Sequence, residues 1–224
     1  AGIGRLFMHP YNRKTWAHPL EEMDWRWIGD RVALPDVERV IDNSARGLDD
    51  TSWGPNSRFL FPRRGGTGAI WTALGERLRR SHPASVRLDH RLVAVDAANH
   101  VACFANGERI GYRRLLTTMP LDEFAALTDE RERLASPSAR LRYSSTNVIG
   151  VALTGTAPAE LAKRCWMYFP EDDCPFYRVT VFSNYAPSNV PDPARFWSLL
   201  AEVSESSWLT RDSRTLVEDT VQGL

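Results

Sequence analysis

Apolar positions along the chain recur at helical spacing in its first third and switch to alternation from Ser85 onward. Gly4–Asn12 reads as a short helix broken by Pro10, and Leu20–Val32 as a second helix with acidic residues in its first turn. Asp36–Asp42 predicts another turn or two, and Ala45–Asn56 a polar loop closing on WGPN. FLFP then leads into RRGG. The clearest helix follows at Thr67–Arg80, where Ile70, Ala73, Leu74, Arg77 and Leu78 recur on one side and Thr67 stands at the capping position.

Beyond Ser85 the period is two. Val86–Leu88, Leu92–Val95, Val101–Phe104 and Glu108–Ile110 predict short strands turning at AANH and ANG. RRLLTTMP predicts a mostly apolar strand covered on both faces, halted by Pro120 and followed by a helix at Leu121–Leu127. SSTNVIGVALTG, WMYFPE, RVTVFSNYAP and SLLAEVSES predict a second sheet, and TLVEDTVQGL a last helix. The sum is an α/β fold in which a β-meander feeds back into an α/β layer beside a separate sheet.

Composition narrows the function classes. With 224 residues, 43% apolar and 25% charged, the chain suits one large globular domain or two small ones. Its net charge of zero gives a nucleic acid nothing to recognise in bulk. No run approaches the roughly 20 apolar residues of a membrane span, so no membrane role is expected. Cys103, Cys165 and Cys174 form neither a disulfide framework nor a zinc-spaced set, and a reducing cytoplasm is the simplest compartment. The chain starts without Met inside one helical pattern and ends inside another, so a segment of a longer protein is expected.

The densest chemistry lies in Cys165–Arg178, CWMYFPEDDCPFYR. A strand at Cys165–Phe169 puts Trp166 and Tyr168 on one face, the turn EDDCP returns the chain, and Arg178 opens the next strand. An aromatic pair facing a guanidinium suits a flat ring joined to phosphate, since Arg meets a planar oxyanion with two parallel bonds. An aromatic core hairpin with a surface arginine fits the same residues, and both readings stay open. Arg31, following WRWIGD, could converge with Arg178 on a diphosphate or face solvent. RRGGTG offers two glycines able to take positive φ ahead of a helix start, which serves a ligand or merely a turn. It is neither G-x-G-x-x-G nor a P-loop. No nucleophile, metal set or His-based triad stands out, and Glu171–Asp173 reads as a solvated turn. The reactive group would then belong to a bound cofactor.

Taken together, FMHPYNRKTWA, WIGDRVALP, WGPN, PRRGGTGAIWTAL, ERIGYRRLLTTMPLD, YSSTNVIGVALTG, CWMYFPEDDCPFYRVTVFSNYAP and AEVSESS resemble the central part of UDP-galactopyranose mutases, the fungal-type branch most of all. The resemblance implies a flavoprotein with a Rossmann-like FAD domain, a helical segment and a six-stranded antiparallel substrate sheet, related to amine oxidases. It implies interconversion of UDP-galactopyranose and UDP-galactofuranose, with reduced FAD as nucleophile at the anomeric carbon and NAD(P)H as reductant. By similarity Phe7 and Asn12 contact uridine, Trp166 lines the substrate pocket, and Tyr168 hydrogen-bonds the diphosphate. Arg31 and Arg178 grip that diphosphate, and Asn56 lies near sugar and flavin. Gly65 and Gly66 lie against the flavin, and Leu92 borders the adenine.

On the same basis residues 1–56 are expected to be helical substrate-domain and linker, 57–128 FAD-domain, 129–210 antiparallel substrate sheet, and 211–224 the start of a truncated helical segment. The N-terminal βαβ unit with its dinucleotide fingerprint does not occur in this sequence, and the purified chain is expected to be colourless and inactive alone. The alternatives are an amine-oxidase-like FAD oxidoreductase or a non-catalytic truncated paralogue.

Overall fold

Strict alternation over two ten-residue runs is what builds the larger sheet, and the elements around it follow the chain. A computed structural model describes residues 2–24, 26, 36–48 and 58–224. The chain divides into two units, residues 1–71 with 144–224, and residues 72–143.

Pro10 does not break the first helix. A π-helical stretch, Gly4–Met8, runs directly into α1 (His9–Trp16), with Pro10 in its first turn and the His9 N–H reaching Gly4 O. The wider turn gives the proline ring room where an α-turn would press it on a carbonyl. The expected helix at Leu20–Val32 is a 3₁₀ turn, Leu20–Glu22, ended by Met23 in extended conformation, and 27–35 lie outside the described residues. α2 (Val37–Arg46) is longer than expected. Asp36 caps it by accepting from the Arg39 N–H at 3.1 Å, and Gly47 at φ 62° closes it. α3 (Gly68–Ser81) lies where the periodicity put it.

The second unit carries a meander, β1 (Leu92–Asp96), β2 (Val101–Phe104) and β3 (Arg109–Gly111), antiparallel in that order. Val86–Leu88 forms no strand; it is held instead by an ionic clasp, in which Glu108 accepts from the Arg87 guanidinium and from His90 Nε2, the latter at 2.7 Å. RRLLTTMP also forms none. It finds no strand to pair with among the described residues, and Leu116 stands 93% exposed. α4 (Leu121–Leu127) matches expectation, and α5 (Arg131–Ser138) is an addition.

The clasp makes the second unit pH-sensitive. The Leu88 carbonyl and Glu108 hold the His90 proton above the ordinary imidazole value, and His90 and Arg87 hold Glu108 below the ordinary carboxylate value. A raised histidine contributes fully below its unfolded value and loses that contribution as pH rises through the folded one. A depressed glutamate loses its contribution as pH falls through its folded value. An NMR titration of His90 is expected to read above the ordinary value and to drop back in Glu108→Gln; an ordinary value in the wild type overturns the clasp.

The first unit then completes a four-stranded antiparallel sheet from β4 (Ser145–Thr154), β5 (Trp166–Tyr168), β6 (Arg178–Val181) and β7 (Phe196–Glu205), in the order β4-β7-β6-β5. Six strands were expected; these are the four among the described residues. β4 and β7 pair without interruption from Ser145↔Glu205 to Thr154↔Phe196. Ile149, Val179, Val181, Leu199, Ala201 and Val203 line one face, where Phe176 and Leu216 of α6 (Leu216–Gly223) complete the core. Gly223 allows that packing, since a Cβ there would meet Cys174 Cβ at 3.0 Å and Phe176 Cε1 at 3.1 Å. The opposite face carries the polar positions.

Candidate functional site

The register of β5, β6 and β7 sets one row of side chains across the second face. Tyr168 lies opposite Arg178, and Arg178 opposite Glu202; Trp166 lies opposite Thr180 in the adjacent row. The aromatic hairpin therefore divides its rings between the two faces of the sheet. Phe176 is fully buried and meets Phe169 edge-to-face at 4.8 Å in the core, while Tyr168 on the other face is 46% exposed.

Arg178 donates from Nε to Glu202 Oε1 at 2.9 Å and from Nη2 to Oε2 at 2.7 Å. The Tyr177 hydroxyl donates to the same Oε2 at 2.7 Å. This bidentate grip fixes the plane of the guanidinium and spends two of its five N–H groups, so three can still meet an anion. Burial alone would loosen the Arg178 proton, but the Glu202 carboxylate outweighs it and holds Arg178 more firmly cationic than usual. Burial, reinforced by Glu202, pushes the Tyr177 phenol up to about 12. Tyr177 thus stays a donor at any physiological pH.

The π-helical stretch and α1 together supply a second wall. Phe7 and Tyr11, one helical turn apart, stack at 5.1 Å, and Tyr11 meets Tyr168 edge-to-face at 5.4 Å. Ser204 Oγ donates to Thr15 O at 2.7 Å and so ties the end of this helix to β7. A third aromatic group surrounds Trp166: Phe59 lies 5.2 Å from its ring, and Tyr185 lies 4.9 Å from Phe59 and 5.0 Å from Phe61. The chain continues from Phe61 into the glycine loop, which Ser188 Oγ anchors at Arg63 O, 2.6 Å away. Gly65 and Gly66 both take left-handed conformations, φ 77° and 61°.

Of the residues singled out in the sequence, Phe7 and Tyr168 are joined through Tyr11, Arg178 lies opposite Tyr168, and Trp166 stands in the adjacent row with Phe59 and Tyr185. Asn12 turns its amide to its own helix, donating to Met8 O at 2.7 Å. Gly65 and Gly66 sit in the same unit as the sheet, and Leu92 begins β1 of the other unit. Arg31 and Asn56 lie outside the described residues. Glu171–Asp173 is an exposed turn, and no group of metal-ligating side chains occurs among the described residues. Sequence reasoning missed Lys14, Tyr11, Tyr177, Tyr185 and Glu202. A signal existed for Glu202, as a carboxylate inside an alternating run, and for Tyr11, four residues after Phe7.

Fold and site together define a mixed α/β protein of the Rossmann-derived class that includes the mutases and amine oxidases, with an antiparallel sheet carrying the polar site. No family model matches the chain. The solved structure of a reduced UDP-galactopyranose mutase superposes with a TM-score of 0.90 at 43% sequence identity, over 99% of this chain and 47% of that one. The chain belongs to the UDP-galactopyranose mutase family and spans about half the length of that relative. Among the described residues no helix is long and apolar enough to cross a membrane.

Proposed function

We propose that the open face of the β4-β7-β6-β5 sheet binds the UDP part of a UDP-hexose, and that the activity it serves is the interconversion of UDP-galactopyranose and UDP-galactofuranose. The observation that carries this reading is Arg178, pinned by Glu202 yet with N–H groups to spare, opposite Tyr168, whose ring meets Tyr11 of the helix that also presents Phe7. Phe7 and Asn12 would take the uridine, Trp166 the sugar side, and Tyr168, Arg178 and Arg31 the diphosphate. Asn56 would lie near the sugar.

FAD is the cofactor of this reading, with NAD(P)H as its reductant. The glycine loop suits the edge of a flat ring: Gly65 and Gly66 hold left-handed backbone, and a Cβ on Gly66 would meet nothing within 4 Å. Gly65 and Gly66 would lie against the flavin, and Leu92 would border the adenine. The sequence has no G-x-G-x-x-G to cradle the dinucleotide phosphates. When bound, reduced flavin supplies the nucleophile for the anomeric carbon. The chain's own contribution is to hold UDP while negative charge grows on it. Arg178 needs no reorientation for this because Glu202 has already set its plane, and fixed charges of that kind stabilise developing charge most effectively.

Calorimetric titration of UDP into the chain is expected to show one saturable site. UMP should bind about tenfold more weakly or worse, since one charge-assisted contact is worth about 1.5–3 kcal/mol. UMP binding as tightly as UDP, or no heat from UDP, overturns the reading.

A further inference from the structure

Lys14 is one of two lysines among the 28 basic residues, and it is 6% exposed. Its ammonium donates to Glu171 O at 2.6 Å, to Cys174 O at 3.0 Å and toward Cys174 Sγ at 3.5 Å. Three donors meet three acceptors, and none of the acceptors is a carboxylate. Burying a cation against carbonyl dipoles alone is costly, so the position is an expensive one to fill for packing only. Its geometry also selects lysine over the arginine used nearly everywhere else in the chain. A compact three-donor head can converge on a loop, whereas a planar fork cannot.

The two ends that Lys14 joins are the two walls of the site. Its stem leaves α1, which carries Tyr11 and Asn12 and continues the π-helical stretch that carries Phe7; its head holds the turn between β5 and β6, whose strands carry Trp166, Tyr168 and Arg178. Ser204 fastens the same helix to β7, and Lys14 fastens it to the turn.

We propose that Lys14 is a positioning residue that locks the nucleoside-contacting helix to the phosphate-contacting hairpin, so that both walls meet one nucleoside diphosphate in register. The proposal rests on the UDP reading above. Bound UDP then stiffens the 170–175 turn, which the ligand itself does not touch.

The test is UDP titration calorimetry on the wild-type chain, Lys14→Met and Lys14→Arg, with thermal melting of each, and hydrogen exchange of the wild type with and without UDP. UDP affinity is expected to fall at least about tenfold in both variants. Lys14→Arg is expected to keep a cooperative melt, and it decides the matter if Lys14→Met does not fold. Lys14→Arg binding UDP within twofold of wild type overturns the clamp. In the wild type, UDP is expected to slow amide exchange across 170–175 as well as along α1; unchanged exchange at the turn overturns it without any variant. A wild-type chain that takes up no UDP overturns the site reading and the clamp together, whereas wild-type binding with indifferent Lys14 variants sinks the clamp alone.

Discussion

Arg178→Ala is expected to weaken UDP binding by about 2–5 kcal/mol, which is roughly thirtyfold or more, measured by the same calorimetry. Two costs contribute. The diphosphate loses its cation, and Glu202, with only 15% of its side chain exposed, is left with the Tyr177 hydroxyl as its remaining partner. The second cost belongs to the protein and not to the ligand, so it can be separated. Adding Glu202→Gln to Arg178→Ala removes the stranded carboxylate. The double variant is expected to recover stability while binding UDP as poorly as the single one. Arg178→Lys is not expected to rescue affinity, because an ammonium cannot hold Glu202 with two parallel bonds and still present a fixed face to phosphate. UDP affinity within threefold of wild type in Arg178→Ala removes that residue from the site.

How much of this was legible in the sequence follows from which forces were local. β4, β7 and β2 lie close to where alternation predicts, because each buries one face and a slip of one residue would turn that face to water. α3 and α4 follow from periodicity in the same way. Arg113–Pro120 did not, since a strand depends on a neighbour and residue pattern cannot show whether the neighbour is there. Pro10 was read as a breaker by its own chemistry, and a π-turn upstream relieved it. The site divides along the same line. Trp166, Tyr168 and Arg178 were visible as an i, i+2 pair and a following cation. Lys14 was not, for its acceptors are backbone carbonyls about 160 residues away, and carbonyls leave no mark in a sequence. The pairing of Arg178 with Glu202 needed the β6–β7 register, which no single strand encodes.

Phe176→Ala is expected to destabilise the chain by about 3–5 kcal/mol, read as a lower urea midpoint by tryptophan fluorescence. The ring is fully buried, meets Phe169 at 4.8 Å, and lies where Gly223 of α6 comes close enough that even a methyl group there would collide. A cavity at this point cannot readily collapse, because Cys174 beside it is held by Lys14 from one side and the β-sheet closes the other. Tyr177 and Arg178 follow Phe176 directly, so the same ring that seals the core also sets where the first residue of β6 emerges on the opposite face. UDP affinity should therefore fall in Phe176→Ala under conditions where the variant is still folded, although the ring touches no ligand. Stability lost with affinity intact would mean that the Glu202 pairing alone aims Arg178 and that the core beneath it is indifferent to the site.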